Sequence, residues 1–293
     1  ARDWALDPDT EVTITCGATE AITMALLAVT DPGDEVLVVE PFFELYPGMV
    51  TLAGAVPVPV PLTGNGWRLE PEVVRSRVTS RTRAVLVNTP HNPTGRVFEP
   101  AELDGLLAVC AEHDLVCISD EVYEHFVYRH PHRSPAVDPP ARARTIVAGS
   151  LSKSFRMTGW RLGFCLAEPG MTEVLRRVHE RTTVGASHPL QWGASALSER
   201  DVRTGVDLRP VRDEMVSRLA GMGFDVCLPE GGWFALAGIG RLGGGSTELA
   251  HRLVREAGVL VAPGTAFFAD RAQEDEWIRV TFARDPGSTS AAL

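Results

Sequence analysis

The residue types that could do covalent chemistry converge on one stretch, Ser150-Leu-Ser-Lys-Ser-Phe-Arg-Met-Thr-Gly-Trp-Arg-Leu-Gly-Phe164. Lys153 is the only lysine in 293 residues; every other member of the 28 Lys and Arg residues is arginine. A chain that carries its positive charge on arginine almost throughout has kept a primary amine at one position. Arginine cannot substitute where an amine must lose its proton and attack a carbonyl, because the guanidinium stays protonated and is a poor nucleophile. Ser150 and Ser152 precede the lysine, and Gly159 and Arg161 follow it at six and eight residues. That setting is unlike a lysine retained by chance on a solvated face, so Lys153 is read as a Schiff-base lysine.

Such an amine needs elements that deliver other polar groups to it. Residues 12–16 read as a short strand, and Gly17-Ala-Thr-Glu20 opens an amphipathic helix running to Val29. Glu35-Val-Leu-Val-Val-Glu40 is a buried strand by its continuous apolar run, and Pro41-Phe-Phe-Glu-Leu-Tyr46 leads from it into a helix. Residues 55–60 alternate valine with proline and fit an edge strand. Further strands are expected at 84–88, 115–119, 145–149 and 160–166, with helices at about 71–78, 100–113 and 171–181. Strands alternating with helices indicate an α/β fold, a mostly parallel sheet covered on both faces. From about Pro189 the pattern changes to helices at 189–200, 209–222 and 247–257 and strands at 224–228, 232–236 and 277–282, a smaller α+β unit. The expected division is a large ligand-binding domain over 1–185 and a small domain over 186–293.

In an open α/β sheet, ligands bind beyond the carboxyl ends of the strands. The polar residues collect at those ends: Asn88 to Gly95, Asp120 to Tyr123, and Ser150 to Lys153. Gly17-Ala-Thr19 at a helix start offers backbone N–H groups and the positive end of a helix dipole, which favour an anion such as a phosphate. Each feature alone is weak, since Gly/Thr helix starts and a strand-ending aspartate are common. Together they describe a pocket for an aldehyde cofactor carrying a phosphate, pyridoxal 5′-phosphate (PLP).

Composition narrows the alternatives. A net charge of −10 speaks against nucleic acid or an anionic membrane surface as the main partner. No apolar run reaches the ~18 residues of a membrane span. Five cysteines without a CxxC pair read as reduced, small hydrophobes in a cytoplasmic protein. His130-Pro-His132 lies in a polar, proline-rich excursion and is expected to face solvent, and no His/Cys cluster supports a metal.

Residues from about 12 to 283 resemble the class I/II aminotransferases, PLP enzymes of fold type I, near the branch holding kynurenine, aromatic and methionine aminotransferases. Thr89-Pro-His-Asn-Pro-Thr-Gly95 is similar to the family's Asn-Pro-x-Gly loop, which implies that Asn92 bonds the cofactor's ring oxygen and reaches the substrate. Ser119-Asp-Glu-Val-Tyr123 resembles the aspartate motif, with Asp120 on the pyridine nitrogen and Tyr123 on the phenolic oxygen. Ser150-Leu-Ser-Lys153 with Arg161 resembles the lysine signature: Lys153 forms the internal aldimine, and Ser150 and Arg161 hold the phosphate, cradled by Gly17, Ala18 and Thr19. By the same resemblance Phe43 stacks on the cofactor, and Arg279, in Trp277-Ile-Arg-Val-Thr-Phe282, binds the substrate α-carboxylate. The resemblance implies a ping-pong transfer of an amino group between an L-amino acid and a 2-oxo acid, by a homodimer.

Plainer readings exist for several of these residues. Phe42 and Phe43 suit a core, Arg279 could sit in a structural salt bridge, and Thr19 could serve only as a helix-start residue. The chain begins after the family's N-terminal segment and ends at Ser288-Thr-Ser-Ala-Ala-Leu293, before its closing helix. The expectation is a complete cofactor site with an incomplete substrate site. A PLP-dependent C–S lyase shares the His91-Asn-Pro-Thr-Gly95 run, although Gly159-Trp-Arg-Leu-Gly163 favours transamination. A non-catalytic, aminotransferase-like ligand-binding module of a regulator is the third reading.

Overall fold

Seven apolar segments pair into one sheet: β1 (Val12–Thr15), β2 (Glu35–Glu40), β3 (Val56–Pro61), β4 (Thr82–Asn88), β5 (Val116–Asp120), β6 (Thr145–Ser150) and β7 (Gly163–Leu166). Their order is β1-β7-β6-β5-β4-β2-β3, with β2 to β6 parallel and β7 and β1 antiparallel to their neighbours. This is the α/β architecture expected. A computed structural model of the protein describes residues 5–198, 201–202, 207–240, 242–269 and 275–283. The chain end at 288–293 and the last two residues of the expected 189–200 helix lie outside these.

Successive side chains of a strand point to opposite faces. Val36, Val38, Ala84, Leu86, Ile118 and Ile146 accordingly pack on one side with the helix Ala18–Val29. Leu37, Val39, Val85, Val87 and Cys117 pack on the other with the helix Pro100–Glu112. Both faces are covered, so all six residues of β2 are buried and its sequence shows no polar alternation. β3 lies at the sheet edge, paired only to β2. Its prolines at 57, 59 and 61 alternate with valines, so the residues without an N–H are those facing outward.

A second sheet, antiparallel throughout, is formed by β8 (Asp225–Val226), β9 (Phe234–Gly238), β10 (Ala262–Pro263) and β11 (Trp277–Thr281) in the order β10-β11-β9-β8. β10 is only two residues long, at the end of the apolar run 259–262, and is not among the expected strands. The expected strand over 160–166 is shorter: Thr158–Trp160 is a 3-10 turn, and Arg161 adopts a left-handed φ of 52° before β7 starts. Among the described residues, no helix is long and apolar enough to cross a membrane.

The sequence reading of His132 is corrected. Its side chain is only 6% exposed, and Nε2 lies 3.0 Å from the carboxylate of Glu121, which is fully buried. Ser119 and Ser134 also donate to that carboxylate, at 3.0 and 2.6 Å. A buried carboxylate requires such partners, and the proline-rich excursion folds back to supply them.

Candidate active site

Parallel register sets the framework. Asn88 at the end of β4 pairs with Asp120 at the end of β5, and Ser150 ends β6 beside Gly163 of the antiparallel β7. Thr15 of β1 also pairs with Gly163, so the start of the helix Ala18–Val29 arrives at the same edge. A cavity of about 260 Å³ opens there. Ala18, Thr19, Phe43, Asn92, Asp120, Tyr123, Ser150, Lys153 and Arg161 all line it.

One end is rich in unmatched donors. The helix Ala18–Val29 has Gly17 as its N-cap, at φ 81°, with no side-chain cap on its first N–H groups. A Cβ on Gly17 would lie 2.4 Å from Nη2 of Arg161, so the guanidinium packs directly on the turn. Ser152 Oγ is buried without a hydrogen-bond partner among the described residues. Ser150 is engaged as a cap: its Oγ accepts from the Ser152 N–H at 3.1 Å and donates to the Leu162 carbonyl at 3.2 Å.

At the other end lies Asp120, 5% exposed. Its Oδ2 accepts from the Tyr46 hydroxyl at 2.7 Å and its Oδ1 from the Val122 N–H at 3.1 Å. Burial pushes its pKa up to about 6, against these two hydrogen bonds and the Lys153 charge. Burial also lowers the pKa of Lys153; Asp120 opposes that shift, while Arg161 and Arg279 add to it. The Lys153 amine lies 5.3 Å from the ring centre of Trp233 and 5.8 Å from that of Tyr123. Tyr123 is itself held edge-on by Trp233 and Phe234.

Asn88 clamps the loop: its Nδ2 donates to the Asp120 carbonyl at 2.9 Å, and its Oδ1 accepts from the Asn92 N–H at 2.7 Å. Arg96 fixes the far side of that loop through both oxygens of Glu230, at 3.1 and 2.9 Å, and through Glu102 at 2.9 Å. Arg279 of β11 is not part of the cavity wall, yet its Nη1 reaches Asn92 Oδ1 at 2.9 Å and Glu44 at 3.3 Å. It is therefore paired within the protein here, with the salt bridge to Glu44 that the plainer reading of this arginine allows. Type and spacing assign no role to Tyr46, Asn88, Ser152 or Trp233. Ser152 carried a signal as the second hydroxyl before the lysine, and Asn88 as the polar residue ending an apolar run.

Residues 2–292 match the family model described as aminotransferase class I and II. The chain belongs to the class I and II aminotransferases. Its relatives in this family include mouse kynurenine–oxoglutarate transaminase 3, 34% identical over 83% of this chain. The chain spans only 58% of that transaminase's length. The probable N-succinyldiaminopimelate aminotransferase DapC of Mycobacterium tuberculosis is 37% identical, covering 98% of this chain and 76% of the relative. Two solved aminotransferase structures superpose closely. The N-succinyldiaminopimelate aminotransferase from M. tuberculosis has a TM-score of 0.91 at 35% identity, covering 98% of this chain and 77% of that one. The aromatic aminotransferase from Pyrococcus horikoshii has a TM-score of 0.92 at 33% identity, covering 98% and 78%.

Proposed function

We propose that the protein binds PLP in this cavity and transfers an amino group between an amino acid and a 2-oxo acid. The residues fit that cofactor at three points. The Ser152 hydroxyl, which has no hydrogen-bond partner among the described residues, the helix start at Ala18 and Thr19 without a side-chain cap, and Arg161 form an anion end suited to a phosphate. Asp120, buried with a raised pKa, suits a cation, which a protonated pyridine nitrogen provides. Lys153 offers an amine whose lowered pKa favours the neutral, nucleophilic form. The last observation carries the reading: the chain's sole lysine lines a cavity that also holds Asp120 and Arg161.

When bound, PLP supplies an aldehyde that captures amines and a ring that accepts electrons released at the substrate α-carbon. Lys153 Nζ would be the amine that holds the aldehyde and, when free, the base available to the substrate α-proton. Asp120 would hold a proton on the ring nitrogen. Tyr123 and Asn92 would donate to the ring oxygen, and Phe43 would cover a ring face, since all three line the cavity. Ser150 acts with the anion end chiefly by capping the turn that carries Ser152. Arg279 orients the substrate carboxylate beside Asn92. We take 1–185 as the cofactor domain and 186–293 as the small domain. A homodimer fits the exposed apolar side chains of Val184, at 82%, and Trp192, at 76%.

The test is a half-reaction. PLP-loaded protein given an amino acid and no acceptor should release one equivalent of 2-oxo acid per site and stop, then consume one equivalent of a second 2-oxo acid. Continuous pyruvate from cystathionine would instead establish lyase chemistry, and release of nothing across a panel of amino acids would overturn the reading.

A further inference from the structure

We propose that Tyr46 is a positioning residue for Asp120, fixing the plane of its carboxylate through the hydroxyl and coupling it to Phe43 through the ring. The inference rests on the reading of the cavity as a PLP site and adds a residue to it. Asp120 presents a buried carboxylate that must meet a ligand in one orientation. Left free to turn about Cβ–Cγ, its remaining lone pairs would sweep past that ligand. Two donors stop the rotation. The Val122 N–H binds Oδ1 at 3.1 Å from only two residues along the chain, so it follows any movement of the aspartate. Tyr46 binds Oδ2 at 2.7 Å from 74 residues away, on a separate element, and so supplies the outside reference.

Tyr46 is itself held on several sides. It is 2% exposed, opens the helix Tyr46–Leu52, and its N–H donates to the Phe43 carbonyl at 3.0 Å. Its ring meets that of Phe43 edge-on, with centroids 5.4 Å apart and planes at 77°. Phe43 and Asp120 both line the cavity, and Tyr46 touches both. One side chain therefore sets the spacing between the group that covers a ring and the group that holds its edge. Burial and the adjacent carboxylate hold the Tyr46 phenol well above its ordinary pKa, so it remains a donor at every working pH. The other charged groups acting on Asp120 are Glu121 and Lys153.

Tyr46→Phe keeps the ring and removes only the donor. In the apo-protein, the Asp120 carboxyl is followed by carbon-13 NMR on carboxyl-labelled aspartate, with its signal identified by its loss in Asp120→Asn. A hydrogen bond to the ionised carboxylate lowers its pKa, so removing the donor should raise the midpoint by about one unit. Affinity for PLP, followed by absorbance, should fall about tenfold. If Tyr46→Phe fails to fold, Tyr46→Leu lacks the same donor and should show the same rise. An unchanged midpoint in a folded variant overturns the proposal, since a merely structural tyrosine would leave it alone. The outcomes separate from those of the site reading: a wild-type protein that takes up no PLP sinks the cofactor site, while the apo titration still decides whether Tyr46 sets Asp120.

Discussion

Arg279 Nη1 donates to Asn92 Oδ1 at 2.9 Å, tying β11 of the second sheet to the loop that follows β4 of the first. The guanidinium also lies over the Phe267 ring, 4.7 Å from its centroid, which fixes its plane. A planar fork held in this way matches a carboxylate, and lysine could offer only a point charge. Arg279→Lys should therefore raise KM for the amino acid by roughly 10- to 100-fold with a smaller change in kcat. Glu44 already occupies this arginine at 3.3 Å, in a pair with side chains 22% and 35% exposed. Displacing such a partly exposed partner costs little, so Glu44→Gln should lower KM by only a few-fold. Steady-state kinetics on both variants checks the two directions together.

Asp120 carries a stability cost in the absence of its ligand. Its folded pKa of about 6 exceeds the ordinary 3.8, so the native state binds the proton more tightly than the unfolded chain does. The group's contribution to stability is then fully present below about pH 4 and is lost as pH rises through 6. By pH 7.5 the ionised carboxylate costs up to about 3 kcal/mol. Asp120→Asn should match the wild-type apo-protein near pH 4 and be more stable at pH 7.5, while binding PLP more weakly. Denaturant unfolding at the two pH values measures the difference, and a gap that does not change with pH would contradict this account.

Gly17 combines a φ of 81° with the close approach of Arg161. Alanine there meets a left-handed backbone and a Cβ 2.4 Å from the Arg161 Nη2 atom, which must move. Gly17→Ala should destabilise the fold by about 1–3 kcal/mol and, by displacing Arg161, weaken PLP binding about tenfold. Thermal unfolding and a PLP titration report the two effects separately.

Much of the framework was legible because strand ends declare themselves. Asn88 and Asp120 each follow an apolar run, and the parallel order that aligns them follows from alternating strands and helices. The Pro-Val alternation of β3 marked an edge, since proline has no ladder donor. What stayed hidden depends on contacts across sequence distance. The Tyr46–Asp120 bond spans 74 positions, and no local pattern distinguishes its hydroxyl from that of any core tyrosine. His132 looked solvated because its neighbours are polar, yet the buried Glu121 recruits it. Trp160 sits in an apolar run but falls in a 3-10 turn, because the chain must bend at Arg161 to bring the guanidinium onto Gly17.

The central claim is that Lys153 Nζ is the covalent partner of PLP, and trapping it tests that claim most directly. Protein incubated with PLP, reduced with borohydride and digested should carry a single pyridoxyl-phosphate label, on the peptide containing Lys153. The amine's lowered pKa predicts that labelling proceeds at a lower pH than with a free lysine amine. Lys153→Ala should abolish the label and reduce turnover by about 10⁴-fold. A label that persists in Lys153→Ala, or wild-type protein that takes none under the same conditions, would contradict the account.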